Sequence, residues 1–230
     1  MIPLVLLPGM MCDARLFAPQ IEALSGRYSL HLAPLTFGES IEELAACILQ
    51  SAPPMFALAG LSMGGIVAME ILRQAPDRVD KLALMDTNPL AEVTEVKARR
   101  LPQIQRVRTG NLESVMRDEM KPLYLADTPN RGDILDLCMA MAIGLGPDVF
   151  VAQSRALANR RDQTATLGAF KRPALVLMGE QDVLCPRDRH DLMHSLMPQS
   201  HLVVVKGAGH LPVLEKPDET TAELMLWLEE

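Results

Sequence analysis

Aromatic side chains make up only 3% of this 230-residue chain: one Trp, two Tyr and five Phe. With so few rings to stack on bases, and a net charge of −7 that repels phosphate, a nucleic-acid-binding role is excluded. Cysteine is scarce too. Cys12, Cys47, Cys138 and Cys185 show no C-x-x-C pairing and no spacing that suits a metal. They read as reduced thiols, which fits a cytoplasmic protein. No segment reads as long enough to cross a bilayer. The apolar start, Met1 to Met11, lacks a positive n-region and an A-x-A-like cleavage site, so it reads as a core strand rather than a signal peptide. Internal repeats and low-complexity tracts are missing as well.

What the chain has is alternation. Strand-like apolar runs fall near residues 2–7, 29–34, 56–61, 81–86, 173–179 and 201–205. Helical patterns lie between them at about 14–25, 40–51, 64–75 and 187–197, with a last one at 217–229. Such alternation predicts an α/β fold, a mostly parallel, doubly wound sheet of about six strands with helices on both faces. Hydrophobic residues at 49% supply the core, and a chain of this length buries roughly 70% of its unfolded surface. Pro76 helps end the third helix, and Pro217 suits the first turn of the last one. The stretch 88–170 departs from the pattern: it holds helical pieces but no convincing strand.

The most informative local feature is Gly60-Leu61-Ser62-Met63-Gly64, a G-x-S-x-G between an apolar run and a helical stretch. A strand, a turn too tight for flanking side chains and a helix would lift the Ser62 hydroxyl above the sheet, with the Met63 amide aimed at the same space. A nucleophilic serine needs a base, and the base needs an orienting acid. Among five histidines, His210 alone sits in a glycine-rich loop after a strand. His31 lies inside a strand and His201 opens one. His190 and His194, four apart on a helix, have no third ligand nearby and read as a solvated helix face rather than a metal site. For the acid, Asp182, Asp86 and the weaker Glu180 all lie at or just past strand ends. That is the sheet edge where such sites form.

Leu6-Leu7-Pro8-Gly9, Gly60 to Gly65, Gly179-Glu180-Gln181-Asp182 and Gly209-His210-Leu211-Pro212-Val213-Leu214-Glu215-Lys216-Pro217 together resemble the α/β-hydrolase superfamily. The likeness is to its small bacterial esterases and enol-lactonases, including pimeloyl-carrier methyl-ester carboxylesterases. The resemblance covers nearly the whole chain and implies a triad of Ser62, Asp182 and His210. It also implies an oxyanion hole from the backbone amides of Met10 and Met63, with Met11 as the fallback. Relatives usually carry His-Gly where this chain has Pro8-Gly9, and the early antiparallel hairpin of larger relatives is shortened or missing. The insertion at 88–170, after the strand ending at Asp86, is then a helical cap on a core formed by 1–87 and 171–230.

The cap differs in charge. Residues 88–172 carry 13 Lys and Arg against 10 Asp and Glu, whereas the remainder carries 9 against 19. Lys97, Arg99, Arg100, Arg106 and Arg108 form the densest basic run, read either as solvated helix or as a pairing site for a substrate carboxylate or an acidic acyl carrier. Met116, Met120, Met139 and Met141 could line a pliable pocket, and Cys12 lies close to the oxyanion loop. The expected activity is hydrolysis of a carboxylic ester or lactone of a small to medium acyl group through an acyl-enzyme on Ser62, without metal or organic cofactor. Thioester hydrolysis, C–C bond hydrolysis and cofactor-free perhydrolysis would use the same triad, and a ligand receptor could use the same scaffold. A monomer or small homo-oligomer is expected, with no nucleic acid or membrane as partner.

Overall fold

In the computed structural model, which describes residues 2–230, six parallel strands form one sheet in the order β2-β1-β3-β4-β5-β6. They are β1 (Leu4–Leu7), β2 (Leu30–Leu32), β3 (Phe56–Leu61), β4 (Val79–Met85), β5 (Ala174–Gly179) and β6 (Ser200–Val205). The first residue of the apolar run read from Met1 lies outside the described residues. β1, β3 and β5 are buried along their whole length, because helices cover both faces of the sheet. Their side chains still sort by the two-residue period of a strand. Val5, Leu7, Leu58, Leu82, Leu84 and Val176 enter the core on one face; Leu4, Leu6, Ala57, Ala59, Ala83 and Leu177 enter the core on the other.

The helices between strands are α1 (Ala18–Leu24), preceded by a 3-10 turn, α2 (Ile41–Ser51) and α3 (Met63–Gln74). Ser40 caps α2 by accepting the Glu43 amide at 3.1 Å. Between β4 and β5 come α4 (Thr94–Arg108), α5 (Leu112–Val115), a π-helical turn (Met116–Met120), α6 (Arg131–Ala158) and α7 (Thr164–Ala169), with no strand. The chain closes with α8 (Arg187–Leu196), the short α9 (Pro212–Glu215) and α10 (Pro217–Glu229).

α6 corrects one expectation. Its 28 residues include an apolar window of mean hydropathy 1.8, so by length and composition it is long enough to cross a membrane. Gly146, at φ 84° and ψ 176°, breaks it into halves spanning 131–145 and 147–158, each shorter than a bilayer requires. Ile134, Cys138, Met141, Phe150 and Ala156 are buried, and 33% of the apolar window is buried in all.

Strand order decides where a site can form. The chain runs from β1 outward to β2, then crosses back to start β3 on the other side of β1. The crevice at such a reversal opens beyond the carboxyl ends of the two strands. Leu7 pairs with Gly60 there, so the loop starting Pro8-Gly9-Met10 and the turn carrying Ser62 emerge side by side.

Candidate active site

Ser62 stands between β3 and α3 with φ 54° and ψ −115°, a conformation that costs a side-chain-bearing residue about 1–3 kcal/mol. Its surroundings hold it there. The Ser62 amide donates to the Met85 carbonyl at 2.9 Å, and the Ser62 carbonyl accepts the Thr87 hydroxyl at 2.7 Å. The flanking glycines are required by space: a Cβ on Gly60 would lie 2.3 Å from the Gly64 oxygen, and one on Gly64 would lie 2.1 Å from the Leu7 oxygen.

His210 follows β6 on a loop fixed from two sides. Its amide donates to the Tyr124 carbonyl at 2.7 Å. The amides before and after it, Gly209 and Leu211, both donate to the buried Glu215 carboxylate, which also takes the Ala126 amide at 2.8 Å. Burial pushes the Glu215 carboxyl above its ordinary value, although these three amides pull the other way.

The three residues meet. A carboxylate only accepts, so His210 Nδ1–H donates to Asp182 Oδ2 at 2.8 Å, and the neutral ring then presents Nε2 as acceptor to the Ser62 hydroxyl, also at 2.8 Å. Asp182 Oδ1 accepts the amides of Leu184 and Cys185 at 2.8 and 3.1 Å. Burial alone would raise the Asp182 carboxyl, but the His210 ring and those two amides outweigh it and hold the group below its ordinary value.

The other acids fall elsewhere. Glu180 accepts the Gly207 amide at 3.1 Å and does not reach His210. Asp86, fully buried at φ 44°, accepts the Gly179 amide at 2.8 Å through Oδ1 and is left without a protein donor at Oδ2. Burial, followed by the negative charge of neighbouring Asp182, raises its carboxyl well above the ordinary range.

Two more readings change. The Met11 amide, the expected fallback for the oxyanion hole, is consumed: it donates to Gln153 Oε1 at 2.8 Å, and Met11 itself sits at φ 55°. The Met10 and Met63 amides have no acceptor among the described residues, and both residues line the same cavity as Ser62, with Met63 at the amino end of α3, where the helix dipole favours negative charge. His190 is no solvated residue. It is fully buried, its Nδ1 3.4 Å from the Pro186 carbonyl, and burial pulls it down to about 4. His194 pairs with the Ser200 hydroxyl at 2.8 Å.

Asp182, Cys185 and His210 form a group whose donor atoms lie within 4.8 Å of one another. It suits a metal poorly, since Asp182 and His210 are engaged with each other and burial holds the Cys185 thiol well above its usual value, hence protonated.

A cavity of about 470 Å³ opens in front of Ser62, walled by Met10, Met63 and His210 from the sheet edge and by residues of the β4–β5 insertion. Arg99 and Arg100 line it; Arg106 instead pairs with Glu119, and Arg108 is exposed. Of the four methionines, Met120 lines the cavity, Met116 and Met141 are buried in the core, and Met139 is half-buried. Cys12 is both buried and at the cavity wall. Gln153, Glu92 and Arg160 were not visible from the sequence, because no motif surrounds them.

Comparison with known proteins places the chain in a family. The model of the alpha/beta hydrolase family matches residues 4–224, and the chain belongs to that family. The pimeloyl-[acyl-carrier protein] methyl ester esterase of Yersinia pseudotuberculosis is 26% identical over 99% of this chain and 93% of its own length. That of Citrobacter koseri is 27% identical over 96% and 92%. Among solved structures, a thermophilic esterase from Thermogutta terrifontis with malate bound superposes with a TM-score of 0.90 at 28% identity, covering 100% of this chain and 90% of that one. The enol-lactonase of Burkholderia xenovorans LB400 shares the fold, with a TM-score of 0.87 at 21% identity over 100% and 92%. The relatives are ester hydrolases, which supports ester hydrolysis by this chain.

Proposed function

We propose that this protein is a serine carboxylic-ester hydrolase that cleaves an ester or lactone of a small to medium acyl group through an acyl-enzyme on Ser62. The observation that carries the reading is the hydrogen-bonded chain from Asp182 through His210 to the Ser62 hydroxyl, facing a cavity beside two unengaged amides.

In the proposed cycle, His210 Nε2 takes the Ser62 proton as Oγ forms a bond to the carbonyl carbon. The carbonyl electron pair moves onto oxygen, where the amides of Met10 and Met63 receive it; losing one such donor costs about 3–4 kcal/mol. Asp182 stabilises the imidazolium. His210 then protonates the leaving alcohol as its bond to carbon breaks, and a water, deprotonated by the same ring, releases the acid and restores Ser62. No step calls on a metal or organic cofactor. Residues 88–170 act as the lid on a core of 1–87 and 171–230, excluding water and shaping the acyl pocket.

A second reading is that the acyl group arrives on an acidic carrier protein. It is favoured by exposed Arg99 and half-buried Arg189 at the cavity and by the named activity of the Yersinia and Citrobacter relatives. The test is a steady-state assay on p-nitrophenyl esters from acetate to octanoate. Hydrolysis by the wild type that disappears in Ser62→Ala supports the reading, and the chain-length optimum sizes the pocket. Hydrolysis that survives the substitution overturns it.

A further inference from the structure

Three of the charged side chains in the cavity wall form a group whose charges do not cancel. Arg100, from α4, and Arg160, just beyond α6, both pair with Glu92, through Nε and Nη1 respectively. Arg160 Nε also donates to the Leu90 carbonyl at 2.9 Å. Their side chains are 14%, 8% and, for Glu92, 4% exposed, so two guanidinium groups and one carboxylate are withdrawn from water together. All three line the cavity in front of Ser62. The second carboxylate of the wall, Glu119, is already taken by Arg106 and Gln103, while two further arginines, Arg99 and Arg189, add positive charge.

One arginine would satisfy Glu92. A second, largely buried, carries an uncompensated charge whose desolvation costs several kcal/mol unless another anion completes the set. Burial, opposed by Glu92, already pulls Arg160 below its ordinary value. The Nη2 groups of Arg100 and Arg160 find no acceptor among the described residues, and Arg100 Nη1 lies 4.0 Å from the sulfur of Met10, the residue assigned to the oxyanion hole. The surplus charge therefore stands one side chain away from the place where the scissile carbonyl would sit.

The geometry points to an anion subsite in which Arg100 and Arg160 receive a carboxylate carried on the acyl part of the substrate. The preferred substrate is then a dicarboxylic half-ester, or a lactone bearing a free carboxylate, rather than a neutral ester. A planar carboxylate matches the guanidinium fork, which a single point charge would not exploit. The inference rests on the ester-hydrolase reading for its chemistry but not for its binding.

Two measurements test it separately. In the first, kcat/KM for monomethyl succinate, glutarate and adipate is compared with that for neutral methyl esters of equal chain length. A charge-assisted contact predicts a preference of about tenfold or more for the half-esters. The ratio falls toward one in Arg100→Gln and Arg160→Gln and is partly kept in Arg160→Lys, with folding checked by circular dichroism. In the second, calorimetry follows glutarate binding to the Ser62→Ala protein, with inorganic phosphate alongside. Glutarate binding that is lost on adding Arg100→Gln supports the subsite, even if neither ester is turned over; that outcome would fault the hydrolase reading alone. A wild type that hydrolyses neutral esters as well as half-esters and does not bind glutarate overturns the subsite and leaves the hydrolase standing. Phosphate bound more tightly than glutarate would overturn the carboxylate assignment.

Discussion

The side-chain oxygen of Gln153 accepts the Met11 amide proton at 2.8 Å, joining the kinked helix α6 to the loop beside Ser62 across 142 residues of chain. Its amide nitrogen donates to the Leu35 carbonyl at 2.8 Å, so one buried side chain fixes two loops. Met11 needs such a partner because it sits at φ 55°, a strained conformation for methionine.

Gln153→Ala should leave the Met11 amide buried and unpaired, at a cost of about 1–3 kcal/mol. The next amide back, Met10, loses its orientation, so kcat falls more than KM changes. Gln153→Glu keeps the acceptor for Met11 and should recover more of kcat than of stability. Thermal melts and steady-state kinetics on one ester check both.

Asp182 and Asp86 are neighbours with opposite tasks, and isosteric amides separate them. Asp182→Asn removes the charge that orients His210 and should lower kcat by about 10⁴-fold. Asp86→Asn should retain most activity, because asparagine tolerates φ 44° and still accepts from Gly179.

Stability against pH distinguishes the same pair. Asp86 is raised in the folded state, so it binds a proton that the unfolded chain has released, and it lowers stability progressively above its ordinary value of 3.8. Asp86→Asn removes that dependence, and its melting-temperature advantage over wild type should grow as pH rises from about 4. Asp182 is lowered instead; its contribution is complete above 3.8 and disappears as pH falls through its folded value. Melting curves taken on both sides of 3.8 read both signs.

Glu215 holds the amides on either side of His210, so its replacement should act on the base rather than on the nucleophile. Glu215→Gln turns one acceptor oxygen into a donor facing amides, with an expected loss of about 1–3 kcal/mol. Reaction of Ser62 with a phosphonate ester should slow in parallel with kcat, because both depend on His210.

Glycine positions give a contrast in stability. Gly64→Ala would place its Cβ 2.1 Å from the Leu7 carbonyl and should cost about 3 kcal/mol or more. Gly168→Ala, in α7 with nothing within 4 Å, should stabilise by about 0.5–1 kcal/mol. Chemical denaturation of the two variants against wild type measures both.

Much of this was readable from the chain because strands buried on both faces are continuous apolar runs, and the site residues follow them. Ser62, Asp182 and His210 each stand just past such a run, next to glycines that the geometry requires. Asp86 was also visible as a candidate acid, behind the Asp182 of the Gly-x-x-Asp loop; the His210 hydrogen bond goes to Asp182. Gln153, Glu92 and Arg160 were hidden because their partners lie far away in sequence, on helices whose surroundings repeat no motif. His190 was misread for a related reason: a sparse helical pattern does not reveal what packs over it.

The acyl-enzyme on Ser62 is the central claim, and trapping it is the most direct test. A reaction with p-nitrophenyl butyrate is quenched in acid during turnover, and the digested protein is analysed by mass spectrometry. The account predicts a butyryl group on the peptide carrying Ser62, formed in a burst of p-nitrophenol and missing from Ser62→Ala. Turnover with no modified Ser62 peptide, or with the acyl group on another residue, would contradict it.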